Sequence, residues 1–192
     1  MNTISKTVAC SLIMLCTINK MNAQTGNAAT DYLARAENFK ANSQPDSAIS
    51  YYEKAAAEFQ ETANTESMVD AYNQIGILLT KQNKYEKAKT YLNLALRTGL
   101  NELEPDNIVV ANSYSGLGAI ANAEGNQDQA FKNYNSSLGC FNKAVENRIK
   151  QRGPKDKELA KYYKGMADVY SLMNNSERAG FYKSKAEEIQ KN

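Results

Sequence analysis

Four segments of the chain repeat one pattern of large and small residues, and this repeat constrains the fold more than any other feature. Each segment carries a tyrosine that is followed four positions later by a small residue. The pairs are Tyr32 and Ala36, Tyr72 and Gly76, Tyr114 and Gly118, and Tyr163 and Ala167. One helical turn separates the two members, so both lie on the same face of a helix. The sequence therefore predicts four copies of one helical unit.

A second series of small residues predicts a second helix in each unit. Small side chains recur where helix backbones approach closely, and each second helix carries two of them, seven residues apart. These are Ala48 and Ala55, Ala88 and Ala95, Ala130 and Ser137, and Ala179 and Ala186. Between the two helices lie residues that favour turns and help to cap helices. They are Ser43, Asn83, Gly125 and Asn174.

The pattern predicts eight helices and no strand. The predicted helices cover approximately residues 28–42, 45–63, 66–82, 84–99, 105–124, 127–151, 155–173 and 176–190. Pro45 is expected in the first turn of its helix, where the missing amide hydrogen costs nothing. Pro105 and Pro154 are expected to open the third and fourth helix pairs in the same way.

This large-small-aromatic-small pattern resembles the tetratricopeptide repeat (TPR) family. The alanines at 48, 88, 130 and 179 are spaced by 40, 42 and 49 residues, against about 34 in the basic repeat. The spacing of 40 to 42 resembles the kinesin-light-chain-type branch, which also occurs as sensor arrays ahead of bacterial signalling proteins. The resemblance implies an all-α fold, an α-α superhelix (TPR solenoid) of four helix-turn-helix pairs. The repeats are predicted at residues 28–63, 66–99, 105–151 and 155–190, within a domain of residues 24–192.

The first 23 residues are predicted to be a secretory signal peptide. Lys6 precedes an apolar run from Val8 to Ile18, much shorter than the roughly 20 residues of a membrane-spanning helix. Ala23 suits a signal-peptidase pocket, and its junction with Gln24 resembles signals of the Bacteroidota group. We do not expect lipid attachment at Cys16, because Leu15 stands where such sites carry a small residue. The expected product is periplasmic or secreted, with no stable membrane insertion.

Composition after this cleavage argues against nucleic acid as a partner. Removing residues 1–23 takes away two lysines and no acid, which lowers the 23 basic side chains to 21, equal to the 21 acidic ones. Nucleic-acid binding requires clustered positive charge, and the sequence contains no dense run of Lys or Arg. Only Cys140 would remain of the three cysteines, so no intramolecular disulfide is expected.

The sequence lacks the usual groups of an enzyme, and we predict a non-enzymatic protein. There is no histidine, the commonest general base near neutral pH and the commonest transition-metal ligand. No cofactor and no metal site is predicted. Gly116-Leu117-Gly118 is interpreted as helix packing, because it has no preceding strand and no lysine at phosphate-loop spacing.

A binding groove is predicted on the first helix of each pair, on the face that points away from the small-residue seam. The family resemblance implies that its residues in the second and third units are Asp70, Asn73, Ile77, Thr80, Asn112, Ser115, Ala119 and Asn122. An asparagine amide both donates and accepts hydrogen bonds, which suits recognition of a peptide backbone.

Three functional hypotheses follow from these features. The first is an exported module that binds a peptide or protein segment in the groove. The second is a structural envelope scaffold that self-associates through its ends or its long sixth helix. The third is a hydrolase that uses paired carboxylates such as Glu187 and Glu188.

Overall fold

A computed structural model describes residues 28–191, which fold into eight α-helices with no strand among them. The first helix, α1, covers residues 28–41 of the described range. The others are α2 (Pro45–Glu61), α3 (Thr65–Lys81), α4 (Tyr85–Glu102), α5 (Ile108–Ala123), α6 (Gln127–Arg152), α7 (Leu159–Leu172) and α8 (Ser176–Lys191). The predicted all-α fold class is confirmed. The signal peptide, the cleavage at Ala23 and the position of Cys16 lie outside the described residues.

Most helix boundaries agree with the sequence pattern within a few residues, but two predicted helix starts are wrong. Pro45 is the first residue of α2, as expected. Pro105 lies three residues before α5, whose N-cap is Asn107; the Asn107 side chain accepts a hydrogen bond of 2.9 Å from the Val109 amide. Pro154 lies in the turns before α7, which begins only at Leu159. These two prolines belong to loops rather than to first helical turns.

The turns inside the four helix pairs share one backbone conformation. The residues predicted there have positive φ values, which are 57° at Ser43, 59° at Asn83, 80° at Gly125 and 57° at Asn174. At the third turn, the amide of Gly125 donates to the carbonyl of Asn122 and the amide of Asn126 donates to that of Ala121. Such paired bonds satisfy the last carbonyls of a helix and end it sharply.

The described chain forms two compact units, residues 28–71 and residues 72–191. In the first unit, α1 and α2 bury the small residues Ala36 and Ala48 completely. The fully buried Tyr52 of α2 donates its hydroxyl hydrogen bond to the Glu37 carboxylate of α1. Phe39 stacks on Tyr51, with ring centroids 5.2 Å apart.

In the second unit, glycines of the first helices receive large side chains of the second helices. A β-carbon at Gly76 would lie 2.5 Å from the buried Leu92, and one at Gly116 would lie 2.8 Å from the same side chain. A β-carbon at Gly118 would lie 2.6 Å from the Tyr134 ring. These distances are shorter than van der Waals contact, so the helices approach this closely only because the β-carbon is missing. The packing interpretation of Gly116-Leu117-Gly118 is confirmed.

Candidate functional site

A groove of about 420 Å³ lies between α3, α5 and α7 within the second unit. Its floor is largely apolar or small, because Ile77, Gly116, Ala119, Gly165 and Val169 contribute to it. Polar side chains and one residue of each charge complete the lining. These are Thr80, Asn112, Ser115, Lys81 and Asp168, with Leu172 at the end of α7. An open apolar trough with a few polar groups is the usual form of a binding site.

Five of the eight predicted groove residues line this groove together. They are Ile77, Thr80, Asn112, Ser115 and Ala119. Two of their hydroxyls bond back to their own helices: Thr80 donates to the Gly76 carbonyl at 2.8 Å, and Ser115 donates to the Asn112 carbonyl at 2.9 Å. The Asn112 carboxamide is therefore the polar group of this set best suited to read a guest backbone.

Asn73 does not line the groove, and this part of the prediction is wrong. Its side chain is only 1% exposed. The Asn73 amide donates to the Val109 carbonyl at 2.8 Å, and the Ser113 hydroxyl donates to the Asn73 amide oxygen at 2.7 Å. Asn73 therefore joins α3 to α5 and is unavailable to a ligand. Ser115 follows Tyr114 just as Asn73 follows Tyr72, yet Ser115 lines the groove. The position within the repeat therefore does not by itself decide whether a side chain is exposed.

The two remaining predicted residues lie elsewhere. Asp70 belongs to the part of α3 in the first unit. Asn122 lines a smaller cavity of about 120 Å³ between the ends of α5 and α7 and the start of α6. Leu172 lines both this cavity and the groove, so the two are adjacent.

The contribution of α7 to the groove was missed by sequence reasoning. Gly165, Asp168 and Val169 line it, although the prediction covered only the second and third units. One signal was present: Asp168 follows Tyr163 by five residues, the same offset that separates Ala119 from Tyr114 and Ile77 from Tyr72. Gly165 lies in the groove because Phe141 packs behind it, where a β-carbon would lie 2.3 Å from the ring.

Asp168 is the single carboxylate in the described lining of the groove. Desolvation raises the pKa of this carboxyl group above its ordinary value, and the charge of Lys164 opposes that shift.

Among residues 28–191, no group of three or more His, Cys, Asp or Glu is arranged to hold a metal ion. No helix in this range combines the length and apolar character that a membrane span requires.

The helix pairs and the groove define a helical repeat protein, and comparison with known families identifies the repeat. A model of the tetratricopeptide repeat family matches residues 26–98 and 67–140, which together cover more than half of the chain. The chain belongs to the tetratricopeptide repeat family. Proteins of this family are in general non-enzymatic scaffolds that bind proteins or peptides. None of the curated proteins matches the sequence.

The similar solved structures are distant in sequence. BtubC (BKLC) from P. vanneervenii is 20% identical, with a TM-score of 0.53 over 84% of this chain and 63% of that protein, so the chain spans less than two thirds of its length. MamA is 19% identical, with a TM-score of 0.46 over 90% of this chain and 84% of MamA. A putative kinesin light chain from Podosopora anserina with nearly identical TPR-like repeats is 12% identical, with a TM-score of 0.47 over 84% of this chain and 94% of that one. The likeness to BtubC supports the fold.

Proposed function

We propose that the chain is an exported interaction module that binds an extended peptide segment of a partner protein in the groove of α3, α5 and α7. The observation that carries this proposal is the groove itself, which brings together five residues selected for binding from the sequence alone. A trough with apolar walls and one accessible asparagine suits a peptide whose side chains contact the walls while its backbone bonds to the amide.

The groove also determines which residues contribute to affinity. Ile77, Val169 and Leu172 offer apolar contact area, and burying such area drives association. Lys81 and Asp168 add one charge of each sign, so the groove as a whole has no strong preference for an acidic or a basic guest. We expect affinity to depend more on apolar contact and backbone hydrogen bonds than on ionic strength.

Selection from a displayed library of short random peptides tests this function directly. The full chain should enrich peptides that then bind in solution, and Asn112→Arg should abolish binding by filling the groove. Asn142→Arg is the matched control, because Asn142 is exposed on α6 and does not line the groove. If the library yields no binder, or if binding survives Asn112→Arg, the groove is not the binding site.

Export is a separate part of the proposal and rests on residues 1–23. Expression of the chain in a Gram-negative bacterium should place it outside the cytoplasm with Gln24 as its first residue. Mass spectrometry of the intact protein measures that start. A retained Met1, or an acylated Cys16, would contradict the predicted cleavage.

The repeat spacing of 40 to 42 residues supports placement of the protein in the kinesin-light-chain-type branch.

Self-association is the second candidate, and one surface of α4 favours it. A shallow depression of about 680 Å³ is lined by residues of this helix alone, among them Leu94, Leu96 and Leu100. Leu100 is 43% exposed. Light scattering should detect a dimer that Leu100→Glu dissociates if this surface joins two copies, and a monomer at all concentrations would exclude it.

The carboxylate hydrolase gains no support from the groove, whose described lining has one carboxylate, Asp168.

A further inference from the structure

The two charged residues of the groove lie on its two opposite sides. Lys81 is the last residue of α3, and Asp168 belongs to α7. The middle of the groove is α5, because the Asn73 side chain of α3 bonds to the Val109 carbonyl of α5 and α5 also packs against α7. Neighbouring helix axes lie about 8–10 Å apart, so α3 and α7 are separated by no more than about 16–20 Å.

Neither charge is neutralised by another side chain of the described chain. Among residues 28–191, Lys81 and Asp168 take part in no ion pair, and both side chains are exposed. Lys164 lies one turn before Asp168 and opposes the rise in its pKa, but desolvation is the larger influence. A partly desolvated carboxylate without a counter-ion favours a ligand that brings a positive charge.

The packing of the repeat does not require these two charges. Asp168 follows its tyrosine by five residues, a position that Ile77 occupies in α3 and Ala119 in α5. Lys81 follows its tyrosine by nine residues, a position that Leu172 occupies in α7. Since apolar residues occupy the equivalent positions, the two charges are available to a molecule that enters the groove.

We propose that the groove selects an extended peptide with one acidic and one basic residue, the acid beside Lys81 and the base beside Asp168. This inference rests on the proposed function and adds the chemistry of the guest. An extended chain advances about 3.3 Å per residue, so a distance of about 16–20 Å corresponds to about five or six positions. The long Lys81 side chain can reach inwards, which allows a spacing of about four to six positions.

Guests of other charge fit this arrangement less well. An acidic peptide would pair with Lys81 but would place like charge against Asp168, and a basic peptide would have the opposite fault. An entirely apolar peptide would remove water from both charges without pairing them, which is unfavourable. A guest with both charges gains at both sides, although the net charge of the groove residues is zero. The two charges therefore also fix the register of the guest.

The displayed library provides the test, followed by calorimetry with a synthetic copy of the strongest selected peptide. The selected peptides should share an acidic and a basic residue at one fixed spacing. Asp168→Asn and Lys81→Gln should each weaken binding about twofold to fivefold, as expected for the loss of an exposed ion pair. Exchanging the acid and the base within the peptide should weaken binding about tenfold, because both contacts then join like charges.

A charge-exchanged variant provides a readout that lost packing cannot imitate. Lys81→Glu combined with Asp168→Lys should bind the exchanged peptide more tightly than the original one. The matched control combines Lys132→Glu with Glu146→Lys, which exchanges two exposed charges of α6 outside the groove. This control should keep the original preference. Far-UV circular dichroism should give the same helical signal for both variants.

Three results would overturn this inference. The first is a set of selected peptides that need Asn112 but share no acidic and basic pair. The second is a charge-exchanged variant that keeps the original preference, and the third is unchanged binding by both neutral variants. Each would mean that Lys81 and Asp168 are only solvated surface charges, and each leaves the proposed function standing. The absence of any selected binder would instead overturn both.

Discussion

The buried asparagine at the contact between α3 and α5 should be one of the strongest determinants of stability. Asn73→Ala removes the 2.8 Å bond to the Val109 carbonyl and the 2.7 Å bond from the Ser113 hydroxyl. Each buried hydrogen bond contributes about 1 kcal/mol net. The vacated space and the weakened hydrogen bonding of its neighbours add about 1 to 2 kcal/mol. These contributions add up to an expected loss of about 3–4 kcal/mol, from a total that is typically about 5–15 kcal/mol.

Urea unfolding followed by far-UV circular dichroism measures this loss. The slope of the unfolding free energy against urea should be compared between variants, because repeat arrays do not always unfold in a single step. Asn142→Ala is the control, since Asn142 is exposed on α6, and it should change stability by less than about 0.5 kcal/mol.

A double-mutant cycle with Ser113→Ala separates the hydrogen bonds from other effects of the substitution. The Ser113 hydroxyl also reaches the Val109 carbonyl at 3.0 Å, so this variant should lose about 1–2 kcal/mol. The double variant should lose about 1 kcal/mol less than the sum of the two single variants. A cost below about 0.5 kcal/mol for Asn73→Ala, or strict additivity, would refute the network described here.

Four further substitutions test the packing of α5 and α6 and one strained turn, each by its effect on the free energy of unfolding. Gly118→Ala should cost about 1–3 kcal/mol, because its β-carbon would lie 2.6 Å from the Tyr134 ring. Gly139→Ala, whose β-carbon would meet nothing within 4 Å, should instead stabilise by about 0.5–1 kcal/mol through helix propensity; equal effects of the two would refute the close approach. Ser137→Ala should stabilise by about 1 kcal/mol, since this fully buried hydroxyl has no partner in the described chain, and a loss would reveal a partner. Ala63→Gly should stabilise by about 0.5–1 kcal/mol by relieving a φ of 53°, and no change would mean that the turn relaxes around alanine.

The fold was predictable because the repeat places small residues where only small residues fit. Ala36, Ala55 and Ala95 are all fully buried, as their periodicity indicates, and the left-handed turns inside the four helix pairs lie where Asn, Ser or Gly occurs. The last pair departs from this pattern, since Ala179 is only partly buried. Loop lengths were less predictable, because a proline such as Pro105 suits a turn and a helix start equally well.

The groove was predictable only in part, because exposure depends on the neighbouring repeat. Asn73 and Ser115 occupy the same position in their helices, yet Asn73 is buried because it bonds to Val109 and Ser113 of the next first helix.

The position of Leu92 between two glycines has a consequence for how the array can change over time. This one side chain meets Gly76 of its own pair and Gly116 of the following pair. A larger residue at either glycine would require a smaller one at position 92, so these three positions should covary among relatives. If the α3–α4 pair were moved into another repeat array, the first helix of the following pair in that array would need a glycine at the position of Gly116.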